Sequence, residues 1–487
     1  MRFGSEPTVT ADGEADWHRV HPASPAIRGW IAILAVMVIF GRNSLEELIR
    51  GIASGRGAGI SLDWVPLATF GGAIVVYGVF FVLSWIFTRY QVTETHVRIT
   101  SGVLIRQQRQ ARIDRLQAID LVQPLLARIF NLAELKFEVA DGGKSVMRLS
   151  FLTLGHAQRL RAAILARAAG VSLEAGDDAE IPEAPEQEVL RVPPGRIIAS
   201  SVASAPTVIM LGFLGFLVWC LTQGWWPAVV ALLPGLLGLG STYWQRFVKD
   251  FNFRVAISPD GIRLHYGLLE TRAQTIPPGR IQAVRVQQNL LWRPFGWYRL
   301  QVNVAGYGHH GRENGSMLLP VGTAQDALAV LALVLPDPGV QASAGEGDAS
   351  SEGSPEAVFL AGMRGHGSAQ GFVTSPRRAA WLNPLAWRRN GYRSTETALL
   401  CRHGVLHRQL AVVPHERTQS LQLNQGPVQR LLRVADFHLH STTGPVRPLV
   451  PHLDLAVARE LFTAQAGRAA VARRIARPER WMEMRED

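Results

Sequence analysis

One phrase is written three times along this chain, and any fold proposed for it must accommodate all three. It runs Arg115-Leu-Gln-Ala-Ile-Asp-Leu-Val-Gln-Pro-Leu-Leu-Ala-Arg128, then Arg280-Ile-Gln-Ala-Val-Arg-Val-Gln-Gln-Asn-Leu-Leu-Trp-Arg293, then Arg417-Thr-Gln-Ser-Leu-Gln-Leu-Asn-Gln-Gly-Pro-Val-Gln-Arg430. Thirteen residues ahead of each copy a glycine opens a second shared phrase: Gly102-Val-Leu-Ile-Arg, Gly267-Leu-Leu-Glu-Thr-Arg and Gly404-Val-Leu-His-Arg. A spacing kept three times marks three copies of one structural unit.

The copies together settle what one copy leaves open. Leu116 to Leu126 alone passes for an amphipathic helix. In the other copies Val284 and Val286 alternate with Ala283, Arg285 and Gln287, and Leu421 and Leu423 alternate with Ser420, Gln422 and Asn424. Period-two alternation predicts a strand with one buried face. The glycine phrases read as strand, turn, strand. Downstream, Leu135-Lys-Phe-Glu-Val, Leu300-Gln-Val-Asn-Val and Phe437-His-Leu-His-Ser read as further strands. Helical periodicity then takes over from His156 to Ala169, from Ala324 to Leu335 and from Leu455 onward, with Ala157, Leu160, Ile164 and Leu165 forming an apolar stripe. Each unit is expected to be an α+β module: an antiparallel barrel or sandwich closed by one C-terminal helix.

Between the modules the chain turns apolar. Trp64 to Thr88 has no charge and is bracketed by Asp63 and Arg89, as a membrane span would be. Gly29 to Gly41 is shorter. It reaches spanning length with residues 25–27 and a snorkelling Arg28, or else it is an interfacial or re-entrant segment. No charged residue lies between Arg196 and Arg246, room for two spans joined at Thr222-Gln-Gly-Trp-Trp-Pro227, whose tryptophans suit an interfacial belt. The expected membrane part is therefore two helical hairpins. Hairpins return the chain to one side, so all three modules share a face, and arginine-rich flanks (Arg19, Arg28, Arg89, Arg191, Arg196, Arg246, Lys249) put that face in the cytoplasm. Residues 1–26 show no signal-peptide pattern.

The expected organisation is a polar tail (1–26), hairpin one (27–88), module one (89–170), an acidic linker (171–195), hairpin two (196–246) and module two (247–336). A Gly/Ser/Ala/Pro-rich linker (337–380), expected to be largely disordered, leads to module three (381–475), which has no hairpin of its own, and a tail (476–487).

The net charge of +11 points to an anionic partner, nucleic acid or phospholipid. Only three of the fifty basic residues are lysines, a bias that suits bidentate phosphate contacts and that high-GC coding explains more simply. The basic residues are spread along a membrane-anchored chain, so nucleic acid is disfavoured. Two cysteines, Cys220 and Cys401, make neither a disulfide framework nor a metal cluster.

The module resembles the bacterial pleckstrin-homology type 2 domain, and the chain is similar to multi-repeat membrane proteins of that family. The resemblance rests on Tyr90 and Tyr392, the Gly-Val-Leu phrases, the Arg-x-Gln-x-apolar-x-apolar-x-Gln run and the Leu-Leu-x-Arg or Val-Gln-Arg that follows it. It implies a PH-like fold and a role at the cell envelope, in stress or antimicrobial tolerance. The family carries a glycine soon after the closing arginine. Only Gly296 keeps it, with Asn131 and Arg433 at the other two places, so the local turn is open in copies one and three.

The repeated polar residues are the candidate sites. Arg115, Gln117 and Gln123 share parity with Ile119 and Leu121 and lean toward the core side, where the glutamines are expected to satisfy backbone groups at the rim of the fold; the alternative is binding of a phosphate or a peptide. Arg128, Arg293 and Arg430 follow the strand and are candidates for contact with lipid headgroups or a partner; the alternative is solvated surface arginine. His438 and His440 share a strand face, where two imidazoles can share a metal, but no carboxylate or cysteine set accompanies them and no metal is assigned. No nucleophile elbow, phosphate loop or zinc-protease motif occurs. The expectation is a non-enzymatic inner-membrane protein without a cofactor. Its three cytoplasmic modules would serve protein interaction, self-assembly or contact with anionic headgroups of the bilayer, with another envelope protein or a second copy as partner. The alternative, a transporter or channel subunit, has against it spans without acidic or basic side chains.

Overall fold

In a computed structural model of the chain the described residues are 17–24, 27, 64–93, 95–102, 105–113, 116–139, 146–168, 186–258, 261–277, 279–305, 317–335 and 354–475. They fall into two compact units, Met1–Glu183 and Ala184–Asp487. The apolar stretch 29–41 and the loop 42–63 of the expected first hairpin lie outside the described residues, as do most of the acidic linker, the tail 476–487 and Arg115.

The first unit holds one module. In order come β1 (His18–Arg19), α1 (Trp64–Phe87), β2 (Arg89–Val92), β3 (His96–Ser101), β4 (Gln107–Arg112), β5 (Leu116–Pro124), α2 (Leu125–Ile129), β6 (Leu132–Val139), β7 (Val146–Thr153) and α3 (Leu154–Ala168). One antiparallel sheet runs β1-β2-β3-β4; in the other β5 pairs with β6 and β6 with β7. Val97, Ile99, Ile119, Leu121, Leu135 and Phe137 are buried, as are Ala157, Leu160 and Ile164 from the predicted helical stripe of α3. The polar tail ends differently from expectation: His18 and Arg19 pair with Tyr90 and Arg89, so the segment ahead of the apolar stretch belongs to the sheet.

The second unit contains β8 (Gln187–Arg191), α4 (Pro194–Val202), α5 (Ala205–Thr222), α6 (Trp226–Asp250), β9 (Arg254–Ser258), β10 (Gly261–Tyr266), β11 (Glu270–Ile276), β12 (Ile281–Asn289), β13 (Tyr298–Val304), β14 (Met317–Gly322) and α7 (Ala324–Val334). It continues with α8 (Pro355–Arg364), β15 (Val373–Thr374), β16 (Gly391–Ser394), β17 (Ala398–His403), β18 (His407–Pro414), β19 (Ser420–Asn424), α9 (Pro427–Leu431), β20 (Val434–His440), β21 (Leu449–Asp454) and α10 (Leu455–Ile475). Short 3-10 turns lie at Leu290–Trp292 and Arg377–Trp381. Each module is a sandwich of two antiparallel sheets closed by its last helix. Modules two and three are fused edge to edge, because β12 pairs with β18 from Val284↔Val412 to Asn289↔His407 in a sheet ordered β14-β13-β12-β18-β17-β16-β15.

Among the described residues, α5 and α6 are long and apolar enough to cross a membrane, and almost none of the residues in their apolar stretches are buried. The expected turn between them is present, with Gly224 at φ +70 and Trp225 and Trp226 exposed. The 24-residue α1 is likewise uncharged, with Val75, Val76, Val79 and Phe80 exposed.

Two boundaries are corrected. The expected span beginning at 196 starts later, because α4 is a separate helix whose Ile197, Ser200 and Ser201 are buried. The acidic linker ends inside module two, since β8 pairs with β9. The larger correction concerns 337–380. Residues 354–380 are ordered: α8 is capped by the Ser354 side chain and buries Val358, Phe359 and Met363 in a core shared with Val284, Val286 and Leu410. Two arginines far along the chain hold its carbonyls. Arg389 donates to Gly362 O and Gly365 O, and Arg402 donates to Ala361 O and Gly367 O. Composition alone predicts disorder because Gly and Ser supply little burial of their own; these distant guanidinium donors supply the missing order.

Candidate functional site

The repeated strand explains its own polar residues first. In all three copies the closing glutamine donates to the carbonyl that opens the next strand: Gln123 to Leu132 O at 3.1 Å, Gln288 to Trp297 O at 3.3 Å and Gln425 to Val434 O at 3.0 Å. These glutamines brace the turn. The turn itself is conserved in geometry where the residue changes. Asn131, Gly296 and Arg433 all adopt the left-handed region (φ +53, +60 and +51), and each N–H donates 3.1 Å to the carbonyl of Arg128, Arg293 or Arg430. The loss of glycine in copies one and three therefore leaves the turn intact, at a strain of about 1 kcal/mol for a side chain placed there.

The second shared phrase is also a turn. Gly102, Gly267 and Gly404 have φ of +114, +109 and +81, and a Cβ on any of them would lie 2.0–2.2 Å from a carbonyl oxygen across the turn. Only glycine fits.

In the second unit both turns of module two sit at the foot of the apolar helices. Gly267 N–H donates to Phe251 O at 2.8 Å, and Leu268 N–H donates to Val248 O, near the end of α6, at 2.9 Å. From the other turn, Trp292 is buried and its indole N–H donates to Ser200 O of α4 at 3.0 Å, with the Arg246 and Arg299 guanidiniums 5.7 and 5.2 Å from its ring. Around this foot Leu269, Leu290, Leu291 and Phe295 are exposed. Module one repeats the pattern within its own unit. Arg106, just past the glycine turn, stands 5.8 Å from the ring of Phe87 at the end of α1, and Leu125, Ile129 and Phe130 are exposed beside Arg128. In module two, then, exposed apolar side chains lie around the foot of the long apolar helices, and in module one an arginine lies against the end of α1.

The three candidate arginines fare differently. Arg128 and Arg430 are exposed on α2 and α9. Arg293 is drawn into a cluster: it donates to Val405 O in the Gly404 turn, and Arg408, paired opposite Gln288 in the sheet, lies close enough to depress its pKa further after burial has done so. Burial, with Arg408, Arg402 and Arg293, pushes Arg389 down to about 9. Arg364 donates to Tyr298 Oη at 3.3 Å and acts electrostatically on Arg408. Arg389 and Arg402 are fully buried on backbone carbonyls, whereas Arg293, Arg408 and Arg364 reach the surface. Among the described residues no carboxylate pairs with any of the five. A set of guanidiniums gathered without an acid is suited to a multivalent anion such as a phosphate, which supplies acceptors and relieves the mutual repulsion.

Sequence reasoning singled out Arg293 and missed Arg364, Arg389, Arg402 and Arg408. For Arg389, Arg402 and Arg408 the signal available was the run of arginines from 388 to 408, in which Glu396 is the only acid. It also passed over the glycine phrases as a site, although their Val-Leu and Leu-Leu tips are apolar. His438 and His440 stack with ring centroids 6.2 Å apart, and His440 contacts Gln422 Oε1 at 3.0 Å. Among the described residues no group of three or more His, Cys, Asp or Glu side chains is placed to hold a metal.

Comparison with known proteins agrees with the repeat. The family described as Bacterial PH domain matches residues 48–168, 203–335 and 357–469. A curated relative, the UPF0699 transmembrane protein YdbT of Bacillus subtilis (strain 168), is 23% identical over 284 residues, which cover 51% of this chain and 57% of the relative. The chain thus spans less than two thirds of that relative's length. No solved structure matches. Three matches over well more than half of the residues, each running through a module into its closing helix, show that the chain belongs to the bacterial PH domain family.

Proposed function

We propose that this protein is a multi-pass protein of the bacterial inner membrane, anchored by two helical hairpins, that holds three PH-like modules at the cytoplasmic face. The membrane-proximal rim of the modules contacts anionic headgroups through Arg128, Arg293 and Arg430, and the protein acts by binding and assembly, not by catalysis, with a role in envelope stress or antimicrobial tolerance. The membrane part of this reading is supported by two long exposed apolar helices and by a relative named as a transmembrane protein. The transporter or channel alternative finds no support in the family or in that relative. The observation that carries the headgroup reading is the cluster of Arg293, Arg408 and Arg364 at the foot of the apolar helices without a carboxylate partner. Its geometry suits the phosphate of a lipid more than a solvated surface.

The test is lipid retention by the full chain. Protein extracted from mixed zwitterionic and anionic membranes into mild detergent should carry the anionic species in excess, and the Arg293→Gln, Arg408→Gln double variant should lose most of that excess. Retention of both lipids in the proportion of the starting membrane would refute headgroup selection.

A further inference from the structure

Module three has no apolar hairpin, yet it keeps the place where one would be. In module two the chain leaves the short strand β8, turns through α4, makes the pair α5 and α6, and re-enters the sheet at β9, which pairs with β8. In module three it leaves the short strand β15, turns through the 3-10 segment Arg377–Trp381, and re-enters at β16, which pairs with β15. The two turns are built alike. Arg196 of α4 pairs at 2.8 Å with Asp326 in the first turn of the closing helix α7, and Arg378 pairs with Asp454 immediately ahead of the closing helix α10. Ile197 and Ala379, each next to its arginine, are both buried. Residues 381–390 therefore stand where module two inserts two long apolar helices.

Register fixes which end of the sheet this connection occupies. Gly391 pairs with Arg402 near the end of β17, His403 pairs with Gln409 near the start of β18, and His407 pairs with Asn289 at the end of β12. From Asn289 the chain enters the Leu290–Trp292 turn, which is bonded to the foot of the apolar helices through Ser200. The α5–α6 pair leaves from β8 and β9, in the facing sheet of module two, but the Trp292–Ser200 bond places its foot at the end of β12, the end of the fused sheet from which the 381–390 connection leaves.

The composition of the connection, Trp381-Leu-Asn-Pro-Leu-Ala-Trp-Arg388, is that of a membrane interface. Trp381 is 86% exposed and Leu385 74% exposed, values unusual for large apolar side chains on a folded module. Exposed Arg377, Arg378 and Arg388 flank them, and the Arg388 guanidinium lies 5.2 Å from the Trp387 ring. Exposed Leu406, from the Gly404 turn, lies at the same end of the sheet. Arg378 also donates to Arg433 O, which ties the connection to the turn carrying Arg430 and the 83% exposed Leu431.

We propose that the 381–390 connection of module three is a shallow membrane anchor: Trp381 and Leu385 sink into the bilayer interface while Arg377 and Arg388 remain at the phosphates and Arg378 holds the connection to the module. It takes the place of a spanning hairpin and pins the third module to the same leaflet as the second. The occupant is the bilayer itself, because the segment lies at the same end of the fused modules as the foot of the apolar helices and pairs apolar tips with arginines, as interfacial segments do. This inference rests on the membrane reading above but not on selection of anionic headgroups, since insertion of Trp and Leu is driven by burial of apolar area.

The experiment uses the full chain reconstituted in vesicles with Leu385→Cys carrying a polarity-sensitive fluorophore. Native Cys220 and Cys401 are fully buried and leave the new thiol as the reactive one. A label at Glu396→Cys, in the exposed turn at the opposite end of β16, is the reference. The label at 385 should emit further to the blue than the reference, and lipids spin-labelled near the headgroup should quench it several-fold more than aqueous iodide does, in purely zwitterionic and in anionic vesicles alike. Iodide quenching equal to that of the reference would overturn the proposal. So would protection from iodide without quenching by spin-labelled lipid, which would mean that a protein covers the tip. Loss of anionic lipid retention with depth quenching intact would count against the headgroup reading alone.

Discussion

The side-chain amide of Asn303, at the end of β13 in module two, pairs with the backbone of Val446 in module three as a strand residue would. Its Nδ2 donates to Val446 O at 2.7 Å and its Oδ1 accepts from Val446 N–H at 2.8 Å. The same amide nitrogen reaches Thr442 O at 3.2 Å. Asn303 and Val446 are both buried, so this one amide satisfies peptide groups that water does not reach.

Removal of the amide leaves those peptide groups without partners. Asn303→Ala is expected to lower stability by about 2 kcal/mol and to raise amide exchange in the 441–446 loop. Gly444→Ala should do the same by another route, because a Cβ there would lie 2.1 Å from Asn303 Oδ1. Unfolding midpoints with exchange mass spectrometry check both, and unchanged protection of the loop in either variant would contradict the clamp.

The left-handed turn predicts substitutions of opposite sign. Arg433→Gly relieves backbone strain while keeping the carbonyl that Leu455 N–H and Arg378 use, and should raise stability by up to about 1 kcal/mol. Gly296→Ala imposes the strain on module two and should lower stability by a similar amount. Thermal unfolding of the two variants in one detergent decides the matter; shifts of the same sign would rule it out.

Arg402 is the buried fork that orders residues 354–380. Its Nε donates to Arg389 O at 2.9 Å, its terminal nitrogens donate to Ala361 O and Gly367 O, and its Cζ lies 4.2 Å from the Phe372 ring centroid. Lysine carries the charge but not the fork. Arg402→Lys should cost about 3 kcal/mol and open the 354–380 segment to limited proteolysis. A cleavage pattern identical to the parent would show that the segment is ordered by something else.

His403 gives the fold a pH dependence. Burial, aided by Arg285 and Arg389, pushes its pKa down to about 4 from an ordinary 6.5. The unfolded chain therefore takes up the proton first. The contribution of neutral His403 is complete above pH 6.5, falls as pH drops from 6.5 toward 4 at a slope of at most about 1.4 kcal/mol per pH unit, and levels off below. Burial also lowers His415, which acts in the same direction. The difference between parent and His403→Gln isolates one residue: their denaturation midpoints should converge with falling pH. Parallel curves would dismiss His403 as the source.

Legibility differed by residue. The strand Ile281–Asn289 and its two counterparts, the glycine turns and the closing helices were readable because alternation, glycine and helical spacing act within a few residues. The bracing role of Gln123, Gln288 and Gln425 was readable for the same reason, since each bonds a carbonyl nine residues away. The order of 354–380 was not. Its composition is that of a linker, and its partners Arg389 and Arg402 lie as much as 41 residues off. Arg293 was visible as a candidate, but its company was not: Arg408 meets it through the β12–β18 edge, a pairing between modules that no local pattern encodes.

The sequence by itself determined that the chain is three copies of one α+β module interleaved with apolar stretches, because repeat spacing and the two periodicities are properties of neighbouring residues. Tertiary structure alone decided which residues share a surface. Edge pairing of β12 with β18 brings Arg293 beside Arg408, and the same pairing, with the Trp292–Ser200 bond, brings Trp381 to the end of modules two and three where the apolar helices leave. Long-range pairing of this kind is set by burial and register between segments more than a hundred residues apart, and composition does not carry it.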